Sequence, residues 1–274
     1  MDHERPQQER PLRVTGRREV LAWLGAAACA PLVGCLKDHG DESAPSPDSS
    51  GADTGATGGD SGFPDDGACV EIPQETSGPY PADGTNGPDL LSDPGVVRSD
   101  ITGSFGVLSG VAEGVPLLLR LRVVRADGCT PLAGYAVYVW HCDRNGNYSI
   151  YNVANQNYLR GVQVTDARGD VTFASVFPGC YAGRWPHIHF EVYPSLAATS
   201  SARNAVATSQ IALPQEACEA VYAVAGYELS GRSLAQVTLD TDEVFSDGAE
   251  AETPQVTGDP GSGYVVLMRV GVAG

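Results

Sequence analysis

The chain has little positive charge, little histidine, no closely spaced cysteine pair and no apolar run long enough to span a bilayer. Acidic residues number 34 against 17 Lys and Arg, and five of those 17 fall before residue 20. A phosphate backbone would be repelled by the rest of the chain, which excludes nucleic-acid binding as its main task. The apolar stretch from Val20 to Gly34 is shorter than the ~20 residues that a membrane helix needs. No C-x-x-C pair occurs, so the usual spacing of a structural zinc site is missing. No internal repeat is visible, which removes solenoid architectures. Histidine occurs five times in 274 residues. His3 and His39 lie in the N-terminal flank, so His141, His187 and His189 are the only imidazoles left for chemistry in a folded domain.

What is present begins with an export signal. Arg17 and Arg18 form a twin-arginine pair, an apolar region follows at once, and Leu32-Val33-Gly34-Cys35 reads as a lipobox whose Cys receives a diacylglyceryl group. Residues 1–35 are therefore expected to be a processing segment, with lipid attachment at Cys35 as the only membrane contact. The domain would then sit outside the cytoplasmic membrane. The twin-arginine route carries folded proteins, often with a cofactor inserted, which favours a metal protein. Residues 36–67 are dominated by Asp, Gly and Ser with almost no large apolar side chain. Such a segment buries too little to fold and reads as a tether with a root-mean-square span of roughly 30 Å.

Residues 68–274 have a different pattern. Alternating or β-branched runs at Leu117–Val124, Tyr135–His141, Asp170–Val176, His187–Tyr193 and Gly263–Val272 read as strands. Turn signals separate them at Asp127-Gly128, Asn145-Gly146, Arg168-Gly169 and Pro178-Gly179. The expected fold is an all-β sandwich with long loops and little helix, one helical segment falling at Gln215–Val224. Five cysteines remain in this region: Cys69, Cys129, Cys142, Cys180 and Cys218. The number is odd, so at least one is not bonded within the chain. Cys142 and Cys180 are one conceivable pair.

His187 and His189 form H-x-H in a strand. Side chains two apart point to one face, so both imidazoles are presented together, an arrangement suited to a transition metal. Alone, H-x-H fits two structural histidines equally well, and it leaves copper and zinc open. The surroundings narrow the choice. Tyr148 follows the Asn145-Gly146 turn, and Tyr181 and Arg184 precede His187 in the run FPGCYAGRWPHIHF. Phenolate is a hard anionic donor that matches Fe(III) better than softer ions.

Taken together, WHCDRNGNYS, YLRGVQVTDARGDVTF and FPGCYAGRWPHIHFEV resemble the core of the intradiol ring-cleavage dioxygenases, and IPQETSGPYP resembles that family's pocket loop. The resemblance runs from about Cys69 to Val192. It implies Fe(III) held by Tyr148, Tyr181, His187 and His189, with Tyr181 the ligand that leaves when a catechol binds and acts as base. It also implies that Arg184 stabilises charge on the bound ring and that Thr76, Gly78, Pro79 and Tyr80 line the substrate pocket. Arg160 and Gln163 would support the site from behind. The activity implied is cleavage of a catechol-type ring by O2 between its hydroxylated carbons. Cys180 departs from the bulky residue often found at its position. The main competing reading is a transthyretin-like sandwich that binds a partner without catalysis.

Overall fold

The computed structural model describes residues 62–63 and 69–273. The signal region, Cys35 and nearly all of the expected tether lie outside these residues. Phe63 does not: it is buried, with the guanidinium carbon of Arg122 at 4.3 Å from its ring centroid. Packing onto the domain therefore begins before the expected boundary at residue 68.

Among the described residues the regular structure comprises eight strands, two α-helices and four short 3-10 helices. The strands are β1 (Pro116–Arg125), β2 (Ala136–Trp140), β3 (Arg160–Val164), β4 (Asp170–Val176), β5 (His187–Tyr193), β6 (Ala207–Ala212), β7 (Gln255–Asp259) and β8 (Gly263–Val272). The helices are α1 (Gln215–Tyr222) and α2 (Glu228–Leu234). One sheet runs β4-β1-β8-β7 and the other β3-β2-β5-β6. All neighbours are antiparallel except β1 and β8. The fold is the expected β-sandwich.

Alternation explains the core. Leu117, Leu119, Leu121 and Val123 of β1 share one buried cluster with Val137 and Val139 of β2, Ile188, Phe190 and Val192 of β5, and Val266, Met268 and Val270 of β8. Burying one such side chain contributes roughly 1.5–3 kcal/mol. Alternation does not explain why β2 and β5 are buried along their whole length. Their outward residues Ala136, Tyr138, Trp140 and Tyr193 join a second cluster with Leu91, Val96 and Tyr148. Loop segments thus cover the outer face of the second sheet, and the H-x-H imidazoles belong to this covered face.

Cys69 and Cys129 form a disulfide, with Cα atoms 5.4 Å apart. It ties the start of the domain to the turn after β1. Cys142, Cys180 and Cys218 are free and buried, so the pairing of Cys142 with Cys180 entertained from sequence does not occur. Their thiols are directed instead to the carbonyls of Gly179 and Arg184, at 3.5 and 3.3 Å. Among the described residues no helix is long and apolar enough to cross a membrane.

Candidate metal centre and substrate site

Three local structures bring the donors together. On β5, the period of two puts His187 and His189 side by side, with Nε2 atoms 3.1 Å apart. Asp143 closes the turn before Tyr148: its Oδ1 accepts from the Asn145 and Asn147 amides at 2.9 and 3.0 Å. Gly146, at φ 82°, completes that turn, and a Cβ there would lie 3.0 Å from Cβ of Tyr181. A bare α-carbon is thus required where the Tyr148 turn meets the Tyr181 segment. Tyr181 itself sits in the irregular chain between β4 and β5.

The four donors form one cluster. Tyr148 Oη lies 3.3 Å from His187 Nε2 and 3.2 Å from His189 Nε2, and Tyr181 Oη lies 3.2 Å from His187 Nε2. The orientation of His187 is fixed because its Nδ1 donates to the Trp185 carbonyl at 2.5 Å. Its Nε2 is then unprotonated and directed inward. His189 stacks on Trp140, with ring centroids 4.9 Å apart and planes within 3°.

The cluster fits a metal ion better than a hydrogen-bond network. Three neighbours crowd His187 Nε2, which has one lone pair to offer. Donors this close together would hold one metal ion between them. His189 Nδ1 is buried without a hydrogen-bond partner, so this ring is held by stacking and packing and not by a hydrogen bond. Among the described residues no three His, Cys, Asp or Glu side chains gather as a metal site. The two imidazoles are completed by two phenols. Burial drives the His187 pKa down to about 3, with Arg184 adding to the effect, and drives that of His189 well below its ordinary value. Both are therefore neutral, as ligands must be. Burial also raises both phenols, Tyr181 to about 12. A bound cation opposes that effect and favours phenolate.

Arg184 stands beside the donors and is buried. Its Nε donates to Asp242 Oδ2 at 2.9 Å and its Nη2 to Gln210 Oε1 at 2.6 Å. Desolvation would lower its pKa, but the Asp242 bond and the nearby Tyr181 outweigh it, and the net shift is upward. The guanidinium is a fixed positive charge.

The pocket loop is anchored at both ends. Gln210 Nε2 donates to the Thr76 carbonyl at 2.9 Å. A Cβ on Gly78 would lie 3.3 Å from His189 Cε1, so the loop backbone rests on this imidazole. Pro79 is exposed, and its carbonyl accepts from Asn86 Nδ2 at 2.5 Å. The Tyr80 ring packs 4.8 Å from Tyr148. Arg160, fully buried, donates to the Tyr80 and Pro81 carbonyls at 2.8 and 3.1 Å and to Ser149 Oγ and O, both at 3.1 Å. It joins the pocket loop to the Tyr148 loop, the supporting place expected for it. Gln163 does not have that place: it is half-buried opposite Val137, and the glutamine at the site is Gln210. Gln210 and Asp242 were missed from sequence. For Gln210 a signal existed, a polar residue inside the β-branched run ATSQIA. For Asp242 there was none.

Residues 86–190 match the family model described as dioxygenase, a span that holds all four donors, Arg160 and Arg184. Catechol 1,2-dioxygenase 2 of Acinetobacter lwoffii is 40% identical over 74 residues, 27% of this chain and 26% of that protein. The chain thus matches about a quarter of the length of this curated relative. The intradiol ring-cleavage dioxygenase of Tetranychus urticae superposes with a TM-score of 0.58 at 24% identity, over 75% of this chain and 95% of that one. A second solved dioxygenase gives 0.60 at 22% identity, with the same coverages of 75% and 95%. At these identities the two structures speak for the fold. The chain thus carries a dioxygenase family match over residues 86–190 and has the fold of a solved intradiol ring-cleavage dioxygenase.

Proposed function

We propose that the protein is an Fe(III) dioxygenase that opens a catechol-type ring between its two hydroxylated carbons and gives a muconate-type dicarboxylate. The observation that carries this reading is the meeting of Tyr148, Tyr181, His187 and His189 in one cluster, with His187 Nε2 3.1 to 3.3 Å from the other three donor atoms. Two phenolates and two neutral imidazoles would leave a ferric site with a charge of about +1, which favours the ferric state. When bound, the ion supplies a Lewis acid that takes up the catechol oxygens and activates the ring toward O2. A non-catalytic sandwich gives no reason for four such donors to meet.

The protein groups then have distinct tasks. Tyr148 is buried and Tyr181 is partly exposed, so Tyr181 is the phenol with room to move aside and accept a catechol proton. Arg184 is locked by Asp242 and Gln210 before substrate arrives, and it opposes negative charge developing on the ring without reorganising. Thr76, Gly78, Pro79 and Tyr80 wall the pocket and exclude water from the donors. The test is oxygen uptake with a panel of catechols and identification of the product. An intradiol diacid supports the reading, and an extradiol semialdehyde or no turnover by iron-loaded protein overturns it.

We also propose the export route that the N-terminal sequence suggests: twin-arginine translocation followed by lipid attachment at Cys35, with residues 36 onward tethering the domain at the cell envelope. Arg17 and Arg18 changed to Lys should hold precursor in the cytoplasm, and Cys35→Ser should release the protein from membranes. Mature Cys35→Ser protein that still sediments with membranes would refute the anchor.

A further inference from the structure

Two segments wall the metal donors, and each carries a carboxylate. Gly78 rests on His189, and Glu75 lies three residues before it. On the other side the Phe245 ring is 6.4 Å from the His187 ring and 6.0 Å from the Arg184 guanidinium carbon, and Asp247 follows two residues later. The two carboxylates act on each other: Glu75 holds its proton more tightly through burial and then through Asp247. A third carboxylate, Glu252, is fully buried, with Oε2 lacking any hydrogen-bond partner. Its pKa is pushed up to about 7 by burial and then by Glu75. The cleft beyond Phe245 continues the same sign, with Asp240, Asp247 and Glu250 on its wall.

The cations here are already engaged. Arg184 is held by Asp242 and Gln210, and Arg160 is spent on the carbonyls of Tyr80, Pro81 and Ser149. The sequence has one lysine, Lys37, which lies outside the described residues. A carboxylate on an incoming ring would meet the acidic wall formed by Asp240, Asp247 and Glu250, while the two nearby guanidiniums among the described residues, Arg184 and Arg160, are already paired. An ammonium group would meet an acid-lined cleft with an aromatic ring at its inner end, the surroundings that favour cations.

On the catechol-cleaving reading above, we propose that Glu75 and Asp247 set the substrate class: catechols whose ring substituent is uncharged or carries an ammonium group, with carboxylated catechols rejected.

The test uses the iron-loaded full chain and compares kcat/KM for 4-(2-aminoethyl)catechol and 3,4-dihydroxybenzoate, with catechol as the neutral reference. The amine should be preferred over the acid, and the preference should shrink as ionic strength rises, because charges at a solvent-facing rim are screened. Glu75→Gln combined with Asp247→Asn should cut the amine-to-acid ratio by about tenfold or more. A wild-type protein that favours the acid, or a ratio unmoved by both salt and the double variant, overturns this proposal while leaving ring cleavage intact. The salt series needs no variant, so a misfolded double variant does not spare the proposal. Failure to turn over any catechol overturns the ring-cleavage reading, and this one with it.

Discussion

The Arg184 guanidinium is paired with the Asp242 carboxylate at 2.9 Å, and Asp242 is completely buried 58 residues further along the chain. The same Oδ2 accepts the Trp185 amide at 2.6 Å, while Oδ1 accepts the amides of Val244 and Phe245 at 2.8 and 3.2 Å. One side chain therefore fixes the charge at the site, the residue after it and the turn carrying Phe245. Arg184→Lys keeps a charge but loses the planar fork that reaches Asp242 and Gln210 together. Turnover should fall by about 10²-fold, the scale of losing one preorganised stabilising group. Iron content should be retained. Steady-state kinetics with iron analysis check both, and wild-type turnover in Arg184→Lys would remove Arg184 from the reaction.

Gly78 is a second sensitive point. Its φ of +68° disfavours any side chain, and an added Cβ falls 3.3 Å from His189 Cε1. Gly78→Ala should cost roughly 1 kcal/mol in backbone strain and displace either the pocket loop or the imidazole. The expected result is a lower unfolding temperature together with faster iron loss on dialysis. Unchanged iron retention would mean that the loop gives way and the imidazole stays.

A buried acid pair, with one member on the same face of β5 as the imidazoles, makes stability depend on pH. Glu191 lies on β5, accepts from Tyr193 Oη at 2.6 Å and faces Asp83, whose Oδ2 is buried without a partner. Its pKa rises from 4.5 to about 7, first through burial, with Asp83 adding to the shift. The folded state thus binds this proton more tightly than the unfolded one. Its contribution is fully present below pH 4.5 and is lost as pH rises through 7. The loss is of the order of 3 kcal/mol. Denaturant unfolding across this range should show stability falling with pH, and Glu191→Gln should flatten the slope. An unaltered slope in Glu191→Gln would place the dependence on another group.

Much of this was legible in the sequence because the signals are local. H-x-H on a strand needs only the period of two, and the Tyr148 turn needs only Asn145-Gly146. The helix at Gln215–Tyr222 is where its helix formers are. What was not legible depends on long-range packing. β6 and β7 are short runs without a clear pattern, and α2 carries Gly231 in its interior. The period of two identifies β5 as a strand, but its complete burial follows from loops laid over the outer face, which alternation cannot reveal. Gln210 was passed over for Gln163 because cross-strand register, not motif, decides which glutamine lies opposite His189. Asp242 reaches the site only through the fold.

The most direct test of the account is the visible spectrum of the protein as purified from its native source, read with its metal content. Two phenolate ligands on a ferric ion predict one tightly bound iron per chain and a red to brown colour from tyrosinate-to-iron charge transfer. Tyr148→Phe should bleach or blue-shift that band and weaken iron retention. A colourless protein carrying zinc or copper, or a band untouched by Tyr148→Phe, would contradict it.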